Sequence, residues 1–105
     1  MKQIIVCVFG STKFKEDFLK YNKFFTLNNA IVLMPGVFGH SGDHITDEQK
    51  KELDILHKHK IAKSDLVFII DKNGYIGPST REEIGFAKAL GIEIAYMSDI
   101  EKGDN

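Results

Sequence analysis

The run LVFII (Leu66–Ile70) is followed, after a short break, by GYIGPSTREEIGFAKALG at residues 74–91, and this succession decides the fold. The first run is continuously apolar, which is typical of a buried parallel strand. Two glycines and a proline then turn the chain, and Ser79 and Thr80 offer the start of a helix. A glycine-rich bend between a strand and a helix gathers free backbone N–H groups at the positive helix end. The stretch therefore predicts a strand–turn–helix unit suited to an anionic or sugar-phosphate ligand.

The same alternation of strand and helix runs along the rest of the chain. Apolar runs at residues 4–9, 30–34 and 92–97 predict three further strands, and segments 13–27 and 46–63 predict two further helices. Thr46 and Gln49 form a capping box at the start of the second of these helices. Connections that hold a helix require parallel strands, so we expect an α/β fold. It is one doubly wound, Rossmann-like or flavodoxin-like parallel sheet of four to five strands, with helices on both faces. The polar tail from residue 98 onward is expected to fray.

Composition limits the class of protein. The chain has 105 residues, enough for a single domain with its own core. Its 14 basic and 15 acidic residues form no basic patch, which argues against a nucleic-acid binder. The lone Cys7 is expected in the core. The first apolar run is too short for a signal peptide or a membrane span, so we expect a cytoplasmic protein without membrane contact. We further expect that it binds a small molecule and needs no cofactor.

Three glycine-rich turns are predicted to meet at one edge of the sheet, at residues 9–12, 35–45 and 71–80. Parallel sheets bind ligands at the carboxyl ends of their strands, where the strand order reverses. We therefore expect a ligand-binding crevice there. Its candidate binding residues are Phe9, Gly10, Ser11, Thr12, Gly36, His40, Asp71, Gly74, Tyr75, Gly77, Ser79 and Thr80.

The middle turn contains His40, Asp43 and His44, which could in principle ligate a metal ion. No further cluster of cysteine, aspartate or glutamate complements them in the sequence. A loop that lies over a ligand is the preferred interpretation, and no metal site is predicted.

Two glutamates, Glu82 and Glu83, stand just inside the third predicted helix. Both fit capping boxes with the serine and threonine three residues earlier, which would give them a purely structural role. Periodicity places Glu83 with Ala87 and Leu90 on the inner face and turns Glu82 outward. An inward carboxylate at the crevice could stabilise or attack the sugar carbon of an N-glycosidic bond as positive charge develops there. Both interpretations stay open at this point.

Residues 64–91, together with VFGST at residues 8–12, resemble the nucleoside 2-deoxyribosyltransferase family. The family motif, a glycine-containing loop and then Glu-hydrophobic-Gly-aromatic-Ala, is matched by EIGFA at residues 83–87. The resemblance implies that Glu83 is the nucleophile and forms a covalent glycosyl-enzyme. It also implies a homodimer or larger oligomer, because the family completes its sites with residues of a neighbouring subunit. We expect Phe24, Phe38 and Tyr96 at that contact.

The family's catalytic aspartate falls at His57, counted eight residues back from Asp65. A histidine exchanges a proton near neutral pH, so His57 is a second catalytic candidate. The family's tyrosine before the first glycine turn is replaced by Val8 and Phe9. GYIGPSTREE is also similar to the phosphate-binding loop of cytokinin-activating phosphoribohydrolases, which cleave N-glycosidic bonds. We predict cleavage or transfer of the N-glycosidic bond of a nucleoside or nucleotide. The alternative is a non-catalytic sensor or binding module for a nucleotide-derived ligand.

Overall fold

The computed structural model describes residues 3–101, except for the side chain of His40. Its strands are β1 (Ile5–Gly10), β2 (Ile31–Leu33), β3 (Leu66–Ile70) and β4 (Glu93–Tyr96), and its helices are α1 (Lys15–Leu27), α2 (Asp47–Ala62), α3 (Pro78–Ala89) and α4 (Met97–Glu101). The four strands form one parallel sheet in the order β2-β1-β3-β4. The predicted doubly wound α/β sheet with helices on both faces is confirmed, with four strands in the described part of the chain.

Strands β1 and β3 lie in the middle of the sheet and are buried on both faces, which explains their unbroken apolar sequences. Successive side chains point to opposite faces, so each strand contributes to two layers of the core. One layer packs against α1 and α4 and contains Val6, Val8, Phe18, Tyr21, Phe68, Ile70 and Met97. The other packs against α2 and α3 and contains Cys7, Phe9, Ile61, Val67, Ile69, Ile84 and Ala87. The expectation of a buried Cys7 is confirmed.

The strand order reverses between β1 and β3. From β1 the chain crosses through α1 to β2 on one side, and after α2 it returns to β3 on the other side of β1. The turns after β1 and β3 therefore lead to opposite faces and leave a crevice between them. Gly10 ends β1 directly beside Ile70, the last residue of β3. A Cβ atom at Gly10, whose φ is 155°, would lie 2.5 Å from the Ile70 carbonyl oxygen, so only glycine fits there.

The start of α3 differs from the expectation. Its N-cap is Gly77, Pro78 occupies the first helical position, and no side chain caps the helix. Proline suits this position because its fixed φ is helical and it has no N–H to satisfy. Ser79 and Thr80 consequently lie inside the first turn. The predicted capping boxes at this helix are wrong, whereas the capping box of Thr46 and Gln49 at α2 is confirmed.

The tail is also more ordered than expected, because residues 97–101 form α4. Asp71 accepts hydrogen bonds from the Ser98 backbone N–H (2.8 Å) and from the Ser98 hydroxyl (2.6 Å), and only 4% of Asp71 is exposed. Glu101 accepts hydrogen bonds from Lys20 and Tyr21 of α1. The prediction of a frayed tail is wrong for residues 98–101, and residues 102–105 lie outside the described part.

The proposed contact residues have different environments. Phe38 is buried in the core of the chain and packs edge-on against Phe18, with ring centroids 5.5 Å apart, so its assignment to a subunit contact is wrong. Its burial follows from the fold of the loop, in which the Asp43 carboxylate accepts a hydrogen bond from the Phe38 N–H at 2.7 Å. Phe24 is half-exposed and Tyr96 is partly buried. Self-association therefore stays a prediction.

Replacing Gly10 by alanine tests the close approach of β1 and β3. We expect Gly10→Ala to lower the free energy of unfolding by about 1–3 kcal/mol, because the added methyl group overlaps the Ile70 carbonyl. Gly85→Ala is the matched control, since a Cβ on this α3 residue meets open space. It should raise stability by about 0.5–1 kcal/mol. Urea unfolding of the three proteins measures both effects, and equal stability of wild type and Gly10→Ala would contradict this account.

Candidate functional site

A cavity of about 470 Å³ lies at the carboxyl ends of β1 and β3. Its walls are the turn after β1, the loop 35–45, one side of α2 and the turn that enters α3. This volume is in the range of small-molecule sites. The cavity brings together eleven of the sequence-derived candidates: Phe9, Gly10, Ser11, Thr12, Gly36, His57, Tyr75, Gly77, Ser79, Thr80 and Glu83.

The remaining three candidates do not contribute a described side chain to the cavity. Asp71 faces Ser98 and holds the start of α4, so its assignment to ligand binding is replaced by a structural role. Gly74 lies in the 3-10 turn after β3, where its φ of 79° requires glycine-like freedom. The side chain of His40 lies outside the described part of the structure.

The centre of the site is a contact between α2 and α3. The His57 Nε2 atom lies 3.1 Å from the Glu83 Oε2 atom, and the two side chains are only 13% and 15% exposed. The His57 ring also packs edge-on against Phe9 of β1, with ring centroids 5.1 Å apart. Both side chains line the cavity, so their small exposed fractions face it. The two catalytic candidates from the sequence thus lie side by side.

Burial shifts both groups toward their neutral forms. Burial, together with the positive charge of Lys60, lowers the pKa of His57 to about 4. Burial, together with the negative charge of Asp54, raises the pKa of Glu83 to about 7. At neutral pH the imidazole is therefore uncharged and the Glu83 carboxyl is close to half ionised. Such a carboxyl is suited to chemistry that needs both its protonated and its ionised form.

Two charged residues of α2 belong to the site but are not among the candidates derived from the sequence. Asp54 lines the cavity one turn before His57, and its carboxylate contacts Lys50 at 3.3 Å. Lys60 lines the cavity one turn after His57, and its ammonium group donates to the Met34 carbonyl oxygen at 2.9 Å. The spacing of three residues among Asp54, His57 and Lys60 was the available signal, because it places them on one helix face.

The two adjacent glutamates of α3 have different roles. Glu82 points outward, where its carboxylate meets Lys58 at 3.2 Å and its side chain is 72% exposed. Glu83 points into the cavity one turn after Thr80. Because Gly77 is the N-cap, Glu83 is not part of a capping box. The expectation that periodicity separates the two glutamates is confirmed, although Leu90 is half-exposed and does not lie on the inner face.

The loop 35–45 closes one side of the cavity. Asp43 lines the cavity and at the same time accepts the Phe38 N–H, so its carboxylate stabilises the loop. Among the described side chains, which do not include that of His40, no three histidine, cysteine, aspartate or glutamate residues are grouped in a way that could hold a metal ion.

No protein-family model matches this chain, and no curated protein is significantly similar to it. The likeness to the nucleoside 2-deoxyribosyltransferase family therefore stays a prediction. The described helices also include none with the length and hydrophobicity needed to cross a membrane.

The pH dependence of the free energy of unfolding tests whether burial shifts the pKa values of His57 and Glu83. Glu83 has a folded-state pKa of about 7, above its ordinary 4.5. Its ionisation is therefore less favourable in the folded state, and this lowers the free energy of unfolding as the pH rises from 4.5 to 7. We expect Glu83→Gln to remove this cost and to gain up to about 3 kcal/mol over wild type across that window. Urea unfolding at several pH values measures the difference.

His57 is expected to change the free energy of unfolding in the opposite pH direction, and it serves as the comparison. Its folded-state pKa of about 4 lies below the ordinary 6.5, so it costs stability as the pH falls from 6.5 to 4. His57→Gln should therefore gain stability over wild type on acidification, whereas Glu83→Gln gains it toward neutral pH. If the free energies of unfolding of both variants change with pH in parallel with that of the wild type, burial does not shift the pKa of His57 or Glu83.

Proposed function

We propose that this protein is an enzyme that cleaves or transfers the N-glycosidic bond of a nucleoside or nucleotide, with Glu83 as the nucleophile. The observation that carries the proposal is the inward Glu83 carboxyl, which is buried at the carboxyl ends of parallel strands and held by His57 at 3.1 Å. Charged groups are rarely buried without a chemical task or a paired structural role. The sequence motif at residues 83–87 supports the same residue independently.

The reaction follows from the position of this carboxyl. As the bond between sugar and base breaks, its electron pair goes to the base nitrogen and positive charge develops at the anomeric carbon. The ionised Glu83 carboxylate then bonds to that carbon and gives a glycosyl ester. Water or a second base displaces the ester, which releases the sugar product and restores the carboxylate.

The neighbours of Glu83 supply the remaining functions. Neutral His57 can donate its Nε2–H to Oε2 of the ionised carboxylate and so fixes the orientation of Glu83. We assign it as a positioning residue in this reaction. Asp54 is a second carboxyl group at the cavity, and its charge acts on Glu83. It is our candidate for accepting the proton of the incoming water, and the departing base takes its proton from solvent water.

A second function, a non-catalytic binding module for a nucleotide-derived ligand, is favoured by one feature of the same pair. Glu83 Oε2 already has a partner in His57, as in a buried pair that only joins two helices. Such a pair needs no reaction to explain it. The two functions differ in whether a free base is released.

The first test compares two neighbouring variants on a panel of nucleosides and their 5′-monophosphates. We expect Glu83→Gln to lower turnover by at least about 10³-fold, because an amide cannot supply the negative charge that the sugar carbon requires. Glu82→Gln is the matched control and should leave turnover unchanged, since its carboxylate faces Lys58 and solvent. Released base is measured by chromatography.

The outcomes separate the two functions. Base release that is equal in wild type and Glu83→Gln would remove Glu83 from catalysis. Ligand-induced thermal stabilisation without base release from any panel member would favour the binding module.

The second test uses the pH dependence of kcat/KM in the unliganded enzyme. A nucleophile must be ionised, so activity should rise with pH through about 7, the pKa of Glu83. Asp54→Asn removes a negative charge that raises this pKa, so its activity should begin to rise at lower pH. Activity that falls with pH through 7 would instead make Glu83 a proton donor.

A further inference from the structure

We propose that Lys60 recognises the base of the ligand and selects bases with a ring carbonyl group over bases with an amino group at the same position. Uracil, thymine, hypoxanthine and guanine form the first class, and cytosine and adenine form the second. The proposal concerns the cavity that contains Glu83, and it rests on the proposed function because it takes the ligand to be a nucleoside or nucleotide.

The Lys60 ammonium group is a cation of the cavity that no acidic side chain neutralises. Of the described residues, the lysines that line the cavity are Lys50 and Lys60. The Lys50 ammonium group lies 3.3 Å from the Asp54 carboxylate. Within residues 3–101, by contrast, no carboxylate forms an ion pair with Lys60. Because Lys60 is partly buried, an electron-rich atom of a ligand in the cavity would be a favourable partner for its charge.

The same ammonium group is fixed in position and still has hydrogen-bond donors to offer. Its Nζ atom donates to the Met34 carbonyl oxygen at 2.9 Å, which holds it at the end of β2. An ammonium group has three N–H donors and no acceptor. In the part of the chain that the structure describes, the bond to Met34 is the one that Lys60 Nζ makes. Two donors therefore remain, and they require an acceptor such as a carbonyl oxygen.

The order of the side chains across the sheet separates Lys60 from Glu83. Lys60 is held at the end of β2, His57 packs on Phe9 of the neighbouring strand β1, and Glu83 contacts His57 from α3. His57 thus lies between the cation and the proposed nucleophile. A nucleoside whose anomeric carbon lies at Glu83 would extend its base along this row toward Lys60.

The cavity near Lys60 suits the flat faces of a heterocycle. Phe9, Pro35 and Leu56 line it with apolar surface. Leu56 lies one turn before Lys60 on the same side of α2, and half of its surface is exposed although it is apolar. Ligand sites commonly combine such apolar walls with a few polar groups that fix the orientation of the ligand. Lys60 is the polar group at the edge of this apolar surface.

The reaction gives Lys60 a reason to discriminate between bases. As the glycosidic bond breaks, its electron pair goes to the base nitrogen, and the negative charge spreads to the conjugated ring carbonyl oxygens. A hydrogen bond from the Lys60 ammonium group to such an oxygen becomes stronger as this charge develops. No proton leaves Lys60, and the base takes its proton from solvent water. An amino group at the same position would direct its own N–H donors at the ammonium group and leave both unpaired.

The test measures binding separately from turnover. In the Glu83→Gln background, which removes the proposed nucleophile, calorimetry compares 2′-deoxyuridine with 2′-deoxycytidine and 2′-deoxyinosine with 2′-deoxyadenosine. We expect the carbonyl member of each pair to bind at least about tenfold more tightly, because its oxygen accepts a hydrogen bond from a charged donor.

Three further substitutions in this background test the assignment to Lys60. Lys60→Met keeps the length of the side chain and removes its charge and donors, so it should abolish the preference for carbonyl bases. Lys60→Arg keeps a charged donor and should retain the preference. Lys63→Met is the matched control, because Lys63 is exposed at the end of α2 and does not line the cavity. It should leave all four affinities unchanged.

The outcomes separate base recognition from the glycosidic reaction. Equal affinities within each pair, no binding of any of the four nucleosides, or a preference that survives Lys60→Met would overturn the role of Lys60. A Lys60-dependent preference without base release by the wild type would keep this role and refute the reaction. Glu83-dependent base release from all four nucleosides, without any preference in binding, would keep the reaction and refute the role of Lys60.

Discussion

The backbone contact between the ends of β1 and β3 is the constraint on which the site depends. Gly10 lies so close to the Ile70 carbonyl that no side chain fits between the strands. From this point the chain leaves β1 toward α1 on one face and leaves β3 toward α3 on the other. The space between the two departures becomes the cavity, and the first turn of α3 faces it. A looser contact between the strand ends would displace the turn that enters α3.

The electrostatic state of the site follows from the packing of α2 on α3. The His57 and Glu83 side chains are nearly enclosed, and burial moves the pKa of each toward the neutral form. Holding a carboxyl in this state costs free energy of folding, and a well-packed apolar pair of similar volume would usually cost less. The cost is consistent with a functional role, because catalytic carboxyls are commonly perturbed in this way. It is also what makes the proposed nucleophile sensitive to pH near 7.

Much of the fold followed from local signals in the sequence. Continuous apolar runs predicted the central strands because these are buried on both faces, and the capping box predicted the start of α2. Local signals misplace the start of α3, because Ser79 and Thr80 are typical N-cap residues, whereas in the structure Gly77 is the N-cap and Pro78 holds the first helical position. The hydrogen bonds between Asp71 and Ser98 join residues that are far apart in sequence, so no local pattern indicated them. The tail was therefore expected to fray.

The location of the site could be predicted from the sequence, whereas the contacts and pKa values of its side chains could not. Parallel strands bring the glycine-rich turns to one edge, and helical periodicity turned Glu83 inward. The distance between His57 and Glu83 depends on how two helices pack, which periodicity alone does not specify. Asp54 is not part of any sequence motif, and only its spacing of three residues from His57 on α2 indicates that the two side chains share a helix face. The pKa values depend on burial and could be assigned only once the structure was known.

The most direct test of the central claim is mass spectrometry of the intact protein. The wild type is incubated with 2′-deoxynucleosides and their 5′-monophosphates, quenched in acid, and mapped by proteolysis. The account predicts a mass increase equal to one glycosyl group, located on the peptide that contains Glu83 and absent in Glu83→Gln. Release of base without any labelled protein, or a label on a different residue, would contradict the assignment of Glu83 as the nucleophile.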